Sequence, residues 1–251
     1  AVDIAYKNNP TYYSLLDIAR QQESFFVSDA GLAAAKAIKN KKTQPFLLKS
    51  MIVHDGQDGN EGGIAFLRNN SSLLTVKATS HGLSHGHYDK LSLSYFDNGN
   101  QILTDYGAAR FLNIEPKNGG NYTKENHTWA MQTIAHNTVT VNETSHFDAN
   151  IKVSSNFHSD IQYFDISNKN IQIFSAIDTN AYKGIKMQRT SVMINNTAFE
   201  FPIVVDIFKV LSDKPNTLDF PFYYRGQLVS TSFKTTKNIT ELKPLGTKNG
   251  Y

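Results

Sequence analysis

The sequence predicts a mainly β protein, an antiparallel β-sandwich or a similar layered sheet, preceded by two helices. From about Phe46 onward, short segments rich in β-branched and aromatic residues alternate with Asn, Gly, Asp and Ser. This spacing is typical of antiparallel strands joined by turns. Hydrophobic residues make up 40% of the 251 positions, which is enough for a sizeable core and excludes wholesale disorder.

Both predicted helices lie in residues 1–45. An Asn-Pro pair at 9–10 supplies a cap and a first-turn proline for the first helix. The second helix is an Ala-rich run over 32–38, with a Ser-Asp pair at 28–29 as its cap. We therefore assign 1–45 to helices and a linker, and 46–251 to the β domain.

The predicted strands share runs of β-branched, aromatic or alternating apolar residues bounded by turn formers. We find no internal repeat and no low-complexity tail among them. The predicted strands are 63–68, 73–79, 90–96, 101–106, 138–141, 171–176, 187–194 and 199–210.

A β-hairpin is the clearest local feature of the sequence. Apolar and small polar residues alternate over 91–95, and the turn-forming sequence DNGN follows. A two-residue turn over 98–99 would place Leu93 opposite Thr104, whereas a three-residue loop would place Leu93 opposite Asp105. Only the second register puts Asp105 on the face of Leu93. The metal hypothesis developed below therefore favours the three-residue loop.

Composition excludes several classes of protein. The chain has 25 Lys and Arg against 22 Asp and Glu, a net charge of +3, which argues against a nucleic-acid partner but suits acidic substrates. No apolar run has transmembrane length, so no membrane contact is expected. No signal peptide is visible at Ala1, so we expect a processed or internal piece of a longer protein. Because cysteine is absent, any metal must be held by His and carboxylates.

Histidines cluster in one short segment. Three of the eight fall in the sequence HGLSHGHYD at 81–89, whose glycines allow the backbone to bend. Residues two positions apart share a face in a straight extended segment, whereas a bend at Gly86 between the two histidines turns them to different sides. We therefore expect His85 and His87 to have different roles, one toward a cleft and the other inward.

An inward His87 has two candidate partners. Asp105 lies 18 residues on, and His136 lies 31 residues beyond that. Two imidazoles and a carboxylate make a plausible zinc set, with water or substrate as a fourth ligand. The spacing is not a compact motif, so a His-rich active-site loop without metal is the alternative.

Two further residues suit an acidic sugar. Arg110 lies near the proposed metal end of the hairpin, and a guanidinium binds a carboxylate through two hydrogen bonds. Tyr122 follows a Gly-Gly-Asn loop and suits proton transfer or a sugar contact. The alternatives are a surface salt bridge for Arg110 and an ordinary amphipathic surface position for Tyr122.

Three ordered blocks resemble a known family: HGLSHGHYD at 81–89, DYGAAR at 105–110 and QTIAHNT at 132–138. They are similar to the heparinase II/III-like domain of polysaccharide lyases, and most of all to the oligoalginate lyases of family seventeen. The strong resemblance covers about 63–146. It implies an N-terminal (α/α) toroid followed by an antiparallel β-sandwich, so the two opening helices resemble the end of that toroid.

The resemblance also implies roles for individual residues. Because most of the toroid and its catalytic residues have no counterpart here, it further implies that the chain is a piece of an enzyme, inactive alone. The implied set comprises one zinc ion, structural in role, on His87, Asp105 and His136, catalytic residues His85 and Tyr122, and substrate-binding residues Arg110 and His81.

The implied activity is that of an alginate lyase, cleaving uronate linkages by β-elimination, with exolytic attack. The implied partners are acidic oligosaccharides, the helical toroid and a second copy in a homodimer, in the bacterial periplasm or outside the cell. Three alternatives stay open: a heparin or heparan sulfate lyase, which the small net charge disfavours, a metal hydrolase, and a non-catalytic zinc-stabilised sugar-binding sandwich.

Overall fold

The computed structural model describes residues 29–42, 48–69, 71–80, 86–105, 125–236 and 249–251. The chain divides into two compact units, Ala1–Lys49 and Ser50–Tyr251.

The first unit contains one helix among its described residues. Helix α1 (Asp29–Lys39) confirms the predicted second helix, whereas the predicted first helix lies outside the described residues. Ala34 and Ala37 are buried on one face of α1. Lys36 and Lys39 lie in its last turn, where positive charge interacts favourably with the helix dipole.

The second unit contains three antiparallel sheets among the described residues, which confirms the mainly β prediction. A five-stranded sheet has the strand order β1-β2-β3-β4-β5, a four-stranded sheet the order β10-β9-β8-β7, and a small sheet pairs β11 with β6. A single short α-helix, α2 (Ile151–Ser154), precedes β7 in the described part of this unit. The strands are β1 (Met51–His54), β2 (Gly63–Asn69), β3 (Ser72–Lys77), β4 (Leu93–Asp97), β5 (Asn100–Leu103), β6 (Thr140–Val141), β7 (Asp160–Asn168), β8 (Ile171–Asp178), β9 (Ile185–Ile194), β10 (Ile203–Ser212) and β11 (Leu218–Asp219).

The two large sheets share one hydrophobic core. Leu67 and Leu74 of the first sheet and Phe174 and Met187 of the second belong to one cluster of buried side chains. Burial alternates along β2 and β3, as expected for strands with one face in a core. Each fully buried side chain of this size stabilises the fold by about 1.5–3 kcal/mol. The layered arrangement is the predicted sandwich.

The hairpin differs from the prediction in its turn. Strands β4 and β5 are joined by a two-residue turn over 98–99 with φ angles of 47° and 76°, both typical of a type I′ turn. The predicted three-residue loop is therefore wrong. One step from the turn a β-bulge shifts the register, so that Tyr95 pairs with Leu103. Continued past β5, this register places Asp105 opposite Leu93, the alignment for which the longer loop had been favoured.

No helix in the described part of the chain is both long enough and apolar enough to cross a membrane.

The imidazole of His146 is fully buried and contacts the backbone just before β6. Its Nδ1 accepts a hydrogen bond from the Lys90 amide at 3.2 Å, and its Nε2 donates to the Val139 carbonyl at 3.3 Å. Burial is the main cause that lowers the pKa of His146 from 6.5 to about 4, and charge attraction from Asp178 only partly opposes it. The folded protein therefore keeps this ring neutral.

Acid is expected to destabilise the fold through His146. The unfolded chain binds a proton here below pH 6.5, whereas the folded chain does so only near pH 4. The contribution of His146 to the free energy of unfolding is therefore fully present above pH 6.5. It falls by about 3 kcal/mol as the pH drops toward 4. Urea unfolding at a series of pH values should show a shallower pH slope in His146→Gln. The full slope should persist in His158→Gln, the control, which changes a partly exposed ring. Equal slopes in the unsubstituted protein and both variants would show that His146 is not the source of the pH dependence.

Candidate functional site

Three side chains that can bind a metal converge at one end of the hairpin. One ligand atom from each of Asp89, Asp105 and His136 lies within 4.8 Å of the other two. Among the described residues this is the only such cluster of three. Two of its members, Asp105 and His136, belong to the predicted ligand set.

The third predicted ligand, His87, lies beside the cluster. Its ring centroid is 5.1 Å from that of His136, with the rings tilted by 44°. Its side chain is almost completely buried. The structure thus brings the three predicted ligands into one region and adds Asp89 to them.

His136 has one satisfied and one unsatisfied nitrogen. Its Nδ1 donates to Asp105 Oδ1 at 2.5 Å. Its Nε2 is buried and has no hydrogen-bond partner among the described residues. An unpaired buried polar atom costs about 1–3 kcal/mol. Asp105 lies on the Nδ1 side of the ring, so an ion held by both residues would take the place of the proton between Nδ1 and Asp105 Oδ1.

The electrostatics of the cluster favour bound cations. Burial and the neighbouring His136 lower the pKa of His87 to about 4, so this ring is neutral at pH 7, as a metal ligand must be. Burial alone would raise the pKa of Asp89, but the positive charges of Lys77 and His136 outweigh it and hold that pKa well below its usual range. Burial opposes protonation of His136, yet the charge and hydrogen bond of Asp105 raise its pKa. Metal binding at His136 would therefore release a proton.

The segment that contains His87 and Asp89 is held by side chains from distant parts of the chain. Lys77 Nζ on β3 forms a salt bridge with Asp89 Oδ1 at 2.6 Å. The Tyr88 amide donates to the Met131 carbonyl at 2.9 Å, and Thr133 Oγ1 donates to the Tyr88 carbonyl at 2.6 Å. Contacts within the chain therefore fix the side chain of Asp89 and the backbone that precedes it.

The segment that contains His136 is positioned by a short turn and by Asn137. A 3₁₀ turn over Thr133–Ala135 ends in the extended residue His136. The buried side chain of Asn137 donates to the Thr104 carbonyl at 2.8 Å and to the Leu93 carbonyl at 3.1 Å. Because Thr104 precedes Asp105, Asn137 holds the ends of β4 and β5 next to His136.

Sequence reasoning missed Asp89 and its counterion. Asp89 was quoted in the 81–89 block but given no role. It follows His87 by two positions, and residues two apart in an extended segment share a face. That periodicity could have identified Asp89, whereas nothing local connects Lys77 to it. The other predicted site residues, His81, His85, Arg110 and Tyr122, lie outside the described residues and stay predictions.

The sequence model of the heparinase II/III-like C-terminal family matches residues 51–246, almost the whole β unit. This chain belongs to that family. Membership of the heparinase II/III-like family confirms the resemblance that the three sequence blocks indicated.

Two curated relatives of this family member are alginate-degrading enzymes by name. The chain is 44% identical over 242 residues to the exo-oligoalginate lyase of Saccharophagus degradans, covering 95% of this chain and 33% of that enzyme. It is 40% identical over 240 residues to the alginate lyase of Stenotrophomonas maltophilia, covering 94% and 32%. The chain thus spans about a third of the length of the curated relatives it matches.

A solved structure of heparinase III supports the fold. It matches this heparinase II/III-like chain with a TM-score of 0.57 at 17% identity, covering 92% of this chain and 31% of the heparinase. At that identity the likeness concerns the fold and not the substrate.

Proposed function

We propose that this chain forms the β-sandwich part of an alginate lyase that cleaves alginate oligosaccharides by exolytic β-elimination. The observation that carries the proposal is the 44% identity to an exo-oligoalginate lyase across 95% of the chain. The net charge of +3 is compatible with a polyanionic substrate. The relatives are about three times as long as this chain. This length supports the presence of a helical toroid that would form the opposite wall of the substrate cleft. A homodimer and a periplasmic or secreted bacterial location rest on the family resemblance alone.

The chemistry of β-elimination defines what the site must supply. The proton on C5 of a uronate lies next to a carboxylate and is poorly acidic while that carboxylate keeps its charge. Arg110 neutralises the carboxylate, with His81 as a further substrate contact, so that charge developing on the sugar is stabilised. His85 and Tyr122 divide the removal of the C5 proton and the protonation of the leaving glycosidic oxygen. No water attacks, so the paired carboxylates of a glycoside hydrolase are not needed.

One zinc ion completes the proposal, held by His87, Asp105 and His136. The close approach of Asp105 to His136, with the His87 ring beside His136, supports it. When bound, the ion supplies a fixed positive charge that joins the His87 segment to the hairpin, a structural role. Asp89 adds negative charge beside the same ligands. The histidine in the cleft, His85, lies two positions before His87 and is oriented by the same segment.

Alginate lyase activity has a direct spectroscopic test. Elimination creates a C4–C5 double bond that absorbs in the ultraviolet, whereas hydrolysis and simple binding do not. We expect the enzyme that contains this chain to produce this absorbance from mannuronate-containing oligosaccharides and to leave heparan sulfate uncut. New reducing ends without ultraviolet absorbance would identify a hydrolase, and faster cleavage of heparan sulfate would overturn the substrate assignment.

A further inference from the structure

A fully buried arginine, Arg189, lies in the middle of β9, on the face that packs against the first sheet. Its side chain has no solvent exposure. Its Nε and Nη2 donate to the two carboxylate oxygens of Asp206 on β10, at 2.8 and 2.7 Å. Ser191 Oγ donates to the same carboxylate at 2.9 Å. The rings of Phe208 and Phe220 lie 5.3 and 5.4 Å from the guanidinium carbon. The guanidinium is therefore held in one orientation from several sides.

The remaining nitrogen of Arg189 donates to two backbone carbonyls that lie close in sequence to candidate metal ligands. Its Nη1 donates to the carbonyl of Leu91 at 2.7 Å and to the carbonyl of Asn137 at 2.5 Å. Leu91 follows Asp89 by two positions, and Asn137 directly follows His136. One nitrogen atom thus bridges the two backbone segments from which the candidate ligands project.

The third ligand-bearing segment is attached to the same bridge. The side chain of Asn137 donates to the carbonyl of Thr104, the residue before Asp105. The backbone carbonyl of Asn137 accepts a hydrogen bond from Arg189 Nη1 at the same time. Arg189 and Asn137 therefore connect the backbones next to Asp89, Asp105 and His136 to the rigid β9–β10 ladder.

Backbone conformation indicates that this bridge has more than a packing role. Leu91 has a φ of 58°, a left-handed conformation that a branched side chain rarely adopts. Such conformations persist where the surroundings over-determine them, and they are concentrated at functional sites. Replacing a buried ion pair by apolar side chains of similar volume is often neutral or stabilising. Stability alone thus does not account for a buried Arg189–Asp206 pair.

We infer that Arg189 is a positioning residue of the proposed metal site, fixing the His87–Leu91 and His136–Asn137 backbones relative to each other. The inference rests on the proposed function for its metal part. The bridge itself is a property of the polypeptide and is measurable with or without an ion.

The test compares variants that separate positioning from stability. In Arg189→Met/Asp206→Leu the ion pair becomes apolar and both carbonyls lose their donor. Arg189→Lys keeps the charge but not the planar, two-sided geometry. Thr190→Val is the matched control, because Thr190 is the next residue of β9, points to the opposite face and loses one hydrogen bond, to Ser175 at 2.8 Å.

Two properties of the full chain are measured. One is zinc affinity, by competition with a chromogenic chelator, and the other is amide hydrogen exchange. We expect zinc binding in the double variant to weaken about 10–100-fold, the usual effect of losing a partner that orients metal ligands. The amides of Leu91, Ser92, His136 and Thr138 should exchange at least about tenfold faster relative to those of β8. Arg189→Lys should give a smaller change of the same kind, and Thr190→Val none.

Each outcome decides the inference. Unchanged zinc affinity and unchanged exchange in the double variant would overturn it, as would equal acceleration in β8, which would reveal a purely global effect. If the double variant does not fold, the same comparison is made with Arg189→Lys. If the unsubstituted chain binds no zinc, the proposed metal site fails, and hydrogen exchange alone then decides whether Arg189 positions these segments.

Discussion

Substituting Tyr122 with Phe, or His85 with Ala, is expected to lower kcat on alginate oligosaccharides by about 10²–10⁴-fold, the usual loss for a proton-transfer group. In the proposed elimination the C5 proton is removed and the leaving oxygen is protonated, and neither Phe nor Ala can exchange a proton. KM should change little, because these groups act mainly on the transition state. The rate of increase of double-bond absorbance at saturating substrate gives kcat directly.

Two further substitutions make the result specific. Arg110→Ala should raise KM, since its contact with the uronate carboxylate is formed in the ground state, and should also lower kcat to the extent that this contact strengthens as charge develops on the sugar. Tyr163→Phe is the matched control, because Tyr163 lies on β7, is half exposed and bonds only Asp165 among the described contacts. Turnover near that of the control in both the His85 and the Tyr122 variants would show that these residues do not transfer protons.

The sequence predicted the strands that alternate and missed those that do not. β2, β3, β8 and β9 lie inside their sheets, so burial imposes a pattern on them. By contrast, β1 and β7 are edge strands whose residues are mostly exposed, and their sequences carry little of that pattern. β-propensity mainly reflects such packing. The edge strands β5 and β10, whose burial does alternate, were predicted.

Only part of the candidate site could be predicted from local sequence. His87, Asp105 and His136 were found through matching blocks, and their proximity follows from a hairpin whose bulge replaces the predicted longer loop. Arg189 could not have been found in this way. Its contacts join it to Leu91 and Asn137, which are 98 and 52 positions away. Nothing in the residues around Arg189 indicates which distant carbonyls it will meet.

Removing the metal from the folded protein is expected to lower its stability, and His136→Ala should do the same by itself. The His136 ring is completely buried against Asp105, and its loss leaves the carboxylates of Asp89 and Asp105 close together without the imidazole that contacts Asp105. Breaking a buried pair of this kind costs about 3–5 kcal/mol. For a chain of this size that lowers the melting temperature by roughly 6–20 °C. Thermal unfolding with and without a chelator measures both effects.

The decisive comparison is whether the two changes add. If the ion is bound by His136, the chelator should lower the melting temperature of the unsubstituted protein and have no further effect on His136→Ala, because the ion's binding energy is already lost. His54→Ala, which removes an exposed imidazole at the end of β1, should keep the full response to the chelator. A chelator effect that persists in His136→Ala would place the ion elsewhere. Absence of any effect on the unsubstituted protein would mean that His136 is held by Asp105 alone and that the cluster is a buried hydrogen-bond network.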